Sequence, residues 1–157
     1  MLDFAATDLV LAIAHHLLVF LLAGILAFEI GVIRSTMTGA DILRVGRVDL
    51  WYGIIAAAII VVGFSRAVFA AKGWAYYATN GFFWAKMACF AAVGLLSIMP
   101  TISLIRWQRS LGRDASFTPS GEDVLSVRCY LWAEAAFFAL IPAFAAVMAR
   151  GYGALVQ

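Results

Sequence analysis

Four long apolar runs dominate the chain, at about residues 9–33, 50–71, 81–105 and 127–149. An α-helix rises about 1.5 Å per residue, so about 20 apolar residues cross a bilayer core of about 30 Å. Each run is long enough for that. They are rich in Ala and Leu and do not alternate apolar with polar over ten-residue stretches, so they predict helices rather than the strands of a membrane β-barrel. The polar connections between them are residues 34–49, 72–80 and 106–126. No internal repeat, low-complexity tract or linker divides the chain. The expected fold is all-α: a single integral-membrane four-helix bundle over residues 1–157.

Composition supports a lipid solvent. Of the 157 residues, 65% are hydrophobic and 13% charged, against about a quarter charged in soluble domains. A domain this small has too little interior to hide so much apolar side chain from water. Cys89 and Cys129 fall at different expected depths, which predicts no disulfide between them. Phosphate loops, zinc-ligand spacing, nucleophile triads and basic nucleic-acid patches are absent from the sequence.

Charge placement predicts orientation. The first and third connections with their helix ends hold Arg34, Arg44, Arg47, Arg106, Arg109, Arg113 and Arg128, seven of the eleven basic residues. By the positive-inside rule they are cytoplasmic, and both termini lie on the outer, periplasmic side of a bacterial inner membrane. The N-terminal tail has Asp3 and Asp8 but no base, and it precedes a run long enough to span, so no cleavable leader is expected.

Several local signals refine the elements. Asp49 suits the N-cap of the second span. In Thr118-Pro119-Ser120-Gly121-Glu122-Asp123, a Ser120 cap with Asp123 three residues later predicts that the fourth helix begins before the membrane. Pro100 and Pro142 should kink their spans and free the carbonyls of Leu96 and Phe138, with Ser97 placed to take up part of the first loss. Small residues four apart, Ala23 with Ala27, Gly53 with Ala57, Gly63 with Ala67, and Ala135, Ala139 and Ala143, suggest close helix contacts.

Polar residues at membrane depth carry the functional information, because each ionisable group there costs about 2.5–3.5 kcal/mol on insertion scales. They sort into two layers. Glu29, Asp49 and Glu134 form the inner one, near Arg34, Arg47, Arg106 and Arg128, and read either as ion pairs anchoring helix ends or as a proton path. The outer layer holds His15, His16, Arg66 and Lys86, with only Asp3 and Asp8 as acidic neighbours. Its excess positive charge invites an anion such as haem propionates, a carboxylate or phosphate substrate, or a lipid headgroup. The alternative is snorkelling of Arg66 and Lys86 to the headgroups. Adjacent helical histidines point about 100° apart. His15 shares its face with Leu18, Leu22, Ile25 and Glu29, and His16 with Ala23 and Ala27, so His15 is the preferred iron ligand. Trp74, Tyr76, Tyr77, Phe82, Phe83 and Trp84 read as an interfacial aromatic belt or as the wall of a cavity beside Lys86.

Two resemblances follow from these residues. Asp49 with Gly53, Gly63 with Arg66, Lys72-Gly73, Tyr76-Tyr77, Phe83 with Lys86, and Ser97-Ile98-Met99-Pro100-Thr101 followed by Trp107 resemble a bacterial inner-membrane family of four-span proteins of unknown function. That resemblance runs from the first helix to the end of the third and implies architecture only. More loosely, the chain is similar to the four-helix haem-dependent protoporphyrinogen oxidases, which carry a histidine on helix one and a lysine early on helix three in a setting like Trp84-Ala85-Lys86-Met87, and to membrane domains of copper-resistance proteins. That similarity implies haem b on His15 or His16, with Lys86 near the porphyrin carboxylates or in a catalytic role.

Three functions are therefore expected to compete. The first is a haem-b redox protein acting on a porphyrinogen or quinol. The second is a non-enzymatic subunit or assembly factor of a homo-oligomer or larger membrane complex. The third is a transporter of protons or a small anion, in which Glu29 and Glu134 connect with the outer layer. In every case the lipid bilayer is the partner and nucleic acid is not.

Overall fold

The computed structural model describes residues 4–69 and 73–153. Its elements are α1 (Phe4–Val32), α2 (Gly39–Phe69), α3 (Gly73–Ala78), α4 (Gly81–Arg113) and α5 (Gly121–Ala149). Four of them, all but α3, are long and apolar enough to cross a membrane, so the all-α, four-span expectation holds. α1 packs mainly on α2, and α4 mainly on α5; the two hairpins meet through α2 with α4 and α1 with α5. Asp3, Ala71 and Lys72, and the side chains of Ala67, Ala75 and Tyr76, lie outside the described residues.

The helices extend further than the apolar runs. α2 starts at Gly39 because Thr38 and Asp41 cap each other: Thr38 Oγ1 accepts from Asp41 N–H at 3.3 Å, and the Asp41 carboxylate accepts from Thr38 N–H at 2.9 Å. Beyond the cap, Ile42, Val45, Asp49 and Tyr52 recur at helical spacing and are all buried, while Arg44 and Arg47 are exposed. This first part of α2 is amphipathic, so a search for uninterrupted apolar residues passes over it. Asp49 is thus well inside α2, not at its N-cap. α4 likewise continues to Arg113. α5 begins as its sequence predicted, with the Ser120 side chain accepting from Asp123 N–H at 3.1 Å. In the loop between them, Asp114 accepts from Ser116 N–H at 2.9 Å and from its hydroxyl at 2.6 Å. These two donors hold the Asp114 carboxyl below the usual carboxylate range.

Buried positions trace one stripe per helix. On α1 they are Leu22, Leu26 and Glu29, followed by Ile33 just past its end, on α2 Ile42, Val45, Asp49, Tyr52, Ile55 and Ile59, and on α5 Val124, Val127, Leu131 and Glu134. Beyond Glu134, α5 has no further buried residue among those described. The bundle is therefore closely packed toward the arginine-rich loops, here called the basic end, and looser toward the termini. Leu17, Phe20, Leu50, Leu95 and Trp132 face outward, as lipid contact requires.

Both proline-containing helices run on through Pro100 and Pro142. Ser97 donates to the Gly94 carbonyl at 2.9 Å, not to that of Leu96. The close α2–α4 approach lies at Gly39 against Leu111 and at Gly46 against Gln108, whereas Gly53 faces open space. Small-residue spacing on a single helix does not show which face meets a neighbour. Cys89 and Cys129 are both free.

A latch closes the termini end. Asn80, fully buried, caps α4 by accepting from Phe82 and Phe83 N–H at 3.0 and 3.3 Å, and its amide donates to the Tyr152 carbonyl at 3.1 Å. Gly153 has φ +79°, and a Cβ there would meet the Phe82 ring at 2.5 Å, so the turn admits no side chain. Removing the cap and orphaning the carbonyl in Asn80→Ala should cost about 2 kcal/mol. Asn80→Asp, which keeps the cap acceptor, should cost less. Thermal unfolding in detergent checks both, and an unchanged midpoint for Asn80→Ala would show that the latch contributes nothing.

Candidate functional site

A cavity of about 420 Å³ lies among the four spans in the looser half of the bundle. His15 enters it from α1, Gly63 from α2, Lys86, Met87 and Phe90 from α4, and Phe138 from α5. The His15 ring lies against Gly63, where a Cβ would stand 3.3 Å from Cε1; glycine makes room for the imidazole. His15 Nδ1 is buried and has no hydrogen-bond partner. Lys86 is half-buried in the wall, with Nζ 5.4 Å from the Phe83 ring centroid, a cation–π distance.

The other two outer-layer residues stand apart from this cavity. His16 is exposed, and its Nδ1 donates to the Ala12 carbonyl of its own helix at 2.6 Å. Arg66 Nε lies 3.9 Å from Asp8 Oδ1. Asp8 belongs to the first turns of α1, not to a free tail, so part of the expected positive excess is compensated. The cation left facing the cavity is Lys86. Of the aromatic segment, Phe83 forms wall, with Trp74 and Tyr77 rings packed on it at 6.1 and 5.6 Å. Trp84 is exposed and donates to the Ala78 carbonyl at 3.0 Å, as a belt residue does. Met87, Phe90 and Phe138 were invisible as site residues, because apolar side chains inside apolar runs carry no distinguishing signal.

The inner layer assembles on the core stripe itself. Glu29, Asp49 and Glu134 are 2%, 8% and 1% exposed. Tyr52 donates its hydroxyl hydrogen bond to Glu134, and Thr101 donates to Asp49 at 2.9 Å. The expected ion pairs are not there. Among the described residues the ion pairs are Arg66 with Asp8 and Arg106 with Asp123, the latter at 3.3 Å, and neither involves the buried acids. Arg128 instead donates to the carbonyls of Ile30 and Ile33 at 3.1 and 2.6 Å, capping the end of α1. Its position explains this: six residues before Glu134, it points about 240° around α5 from it. Among the described residues no group of three His, Cys, Asp or Glu side chains could hold a metal ion.

An apolar layer separates the two sites. Leu22, Leu26, Ile55, Ile59 and Val93 fill it, and nearby on α4 the Ser97 hydroxyl is bonded to its own helix. Glu29 and His15 lie about 21 Å apart along α1. The polar continuity that a transmembrane proton or anion route needs is missing among the described residues.

A family model described as a predicted membrane protein (DUF2214) matches residues 7–153. No curated protein and no solved structure matches the chain.

Tyr52→Phe removes the donor of a carboxyl that is 1% exposed, and should lower stability by about 1–3 kcal/mol. Thr101→Val should do the same for Asp49 by a smaller amount, since Thr101 is only partly buried. Thermal unfolding in detergent measures both. A Tyr52→Phe protein as stable as the wild type would mean that the bond is not worth its burial.

Proposed function

The chain belongs to the DUF2214 family of predicted membrane proteins, and we propose that it is a multi-pass inner-membrane redox protein that holds haem b in the cavity beside His15. The observation that carries this reading is the His15 imidazole, which lines a cavity of about 420 Å³ that Lys86 shares. A neutral imidazole on the wall of an apolar cavity is suited to hold iron.

The residues fit the group. His15 would be the iron ligand, and Met87, which also lines the cavity, carries a thioether of a kind that binds iron. Lys86 supplies the charge for a propionate, and Phe83, Phe90 and Phe138 give the macrocycle apolar walls that keep water out. When bound, haem would supply one-electron chemistry, while the protein sets position and dielectric. Lys86 is also the one group on this wall able to orient an anionic or hydrogen-bonding substrate. Gly63 keeps the imidazole in place by leaving it space. His16, committed to Ala12 and exposed, has no part in this, and Arg66 with Asp8 steadies the ends of α1 and α2.

By the arginine bias the cavity opens in the outer half of the membrane. The substrate class is therefore a lipid-soluble reductant such as a quinol or a porphyrinogen, which arrives through the bilayer. The transporter reading is disfavoured by the apolar layer between the two polar sites.

Protein purified in detergent from haem-replete cells should show a haem absorption spectrum that shifts on reduction. His15→Ala should lose it and His16→Ala should keep it. Lys86→Met should retain less haem per protein than the wild type. A colourless wild-type protein would refute the proposal, and one that co-purifies with a larger complex would favour the membrane-subunit reading instead.

A further inference from the structure

We propose that Glu29, Asp49 and Glu134 form a proton-binding site in which Glu29 is held as a neutral carboxylic acid that exchanges its proton with the aqueous phase. This site is independent of the haem reading. The side chains come from all four spans: Glu29 from α1, Asp49 and Tyr52 from α2, Thr101 from α4, and Glu134 from α5. Glu29 is 2% exposed, its Oε1 is buried without a hydrogen-bond partner, and it interacts electrostatically with Asp49 and Glu134.

Three carboxyls thus have two hydroxyl donors among them. Tyr52 and Thr101 each have a single O–H, and each is spent, on Glu134 and on Asp49 respectively. No basic side chain among the described residues pairs with any of the three. Arg128, the guanidinium next to them on α5, is bound to the Ile30 and Ile33 carbonyls. An ionised carboxylate buried with neither donor nor counter-charge is too costly to persist. With no side-chain grouping suited to a metal ion among the described residues, the ligand that neutralises Glu29 is a proton. Glu134 and Asp49, each holding a hydroxyl donor, are the members equipped to carry negative charge.

The exchange is plain acid–base chemistry: the carboxylate takes up a proton from water and returns it, with no electron transferred. Glu29 lies three residues before α1 ends at Val32, so the aqueous face nearer to it is the one at the exposed loop from Arg34.

Infrared difference spectroscopy of the full chain in detergent reads this directly. At neutral pH the wild type should show the carbonyl stretch of a neutral carboxylic acid, and the band should shift when H2O is replaced by D2O. Glu29→Gln should remove the band, while Glu134→Gln should leave it. Absence of the band from the wild type, its persistence in Glu29→Gln, or a band that never shifts in D2O would each overturn the proposal. If Glu29→Gln fails to fold, the wild-type band and its isotope shift still decide. A colourless protein leaves this site untouched, so failure here and failure of the haem reading are distinguishable.

Discussion

The hydrogen bond from Tyr52 to Glu134 ties α2 to α5 at the most closely packed level of the bundle, and the bond from Thr101 to Asp49 ties α4 to α2 beside it. In lipid a polar side chain has no solvent partner, so its helix must turn until the polar group meets another helix. That requirement sets the rotation of the spans. Glu29 turns α1 inward, and His15, fourteen residues before it and so near the same face after almost four turns, is carried into the cavity. His16 is carried outward by the same rotation, and it satisfies its ring on the Ala12 carbonyl.

The two halves of the bundle differ in packing, and their chemistry differs with it. Toward the basic end, large apolar residues such as Ile33, Ile42, Leu104, Trp107 and Leu131 fill the centre, each no more than 1% exposed. Dense packing there leaves acids buried among apolar groups, and the only compensation on hand is a few hydroxyls. Toward the termini α5 contributes no buried residue among those described, and the spans separate around a cavity of ligand size. The latch of Asn80 with Tyr152, and Gly153 against Phe82, holds the start of α4 to the turn that follows α5 at this looser end.

The inner acids and nearby arginines shared a depth but not a face, and the difference decided their partners. Arg128 and Glu134 sit on one helix within two turns of each other, yet the guanidinium finds the free carbonyls at the end of α1 while the carboxyl finds Tyr52. Depth follows from counting residues along a helix. Facing depends on how that helix packs, and bare counting says nothing of it. Asp49 was misplaced for a related reason: the start of α2 is marked by a Thr38–Asp41 cap and an amphipathic stripe rather than by an apolar run.

The sequence by itself determined the solvent, the number of spans, the start of α5 at Ser120, and the set of ionisable residues at membrane depth. Insertion into lipid is decided helix by helix, so a local apolar run is enough to specify it. The adjacency of the two histidines also told that one of them would dominate any single site, and that His15 would turn inward if Glu29 did; that Glu29 does so, and His16 does not, came from the packing. Only the tertiary structure decided that Lys86 shares the cavity with His15 while Arg66 turns to Asp8, that Met87, Phe90 and Phe138 wall the cavity, and that the three buried acids are served by hydroxyls instead of arginines. These are relations between helices far apart in the chain, and in a lipid-facing protein the polar periodicity that might have announced them is largely erased, because the outward face of each span is as apolar as the inward one.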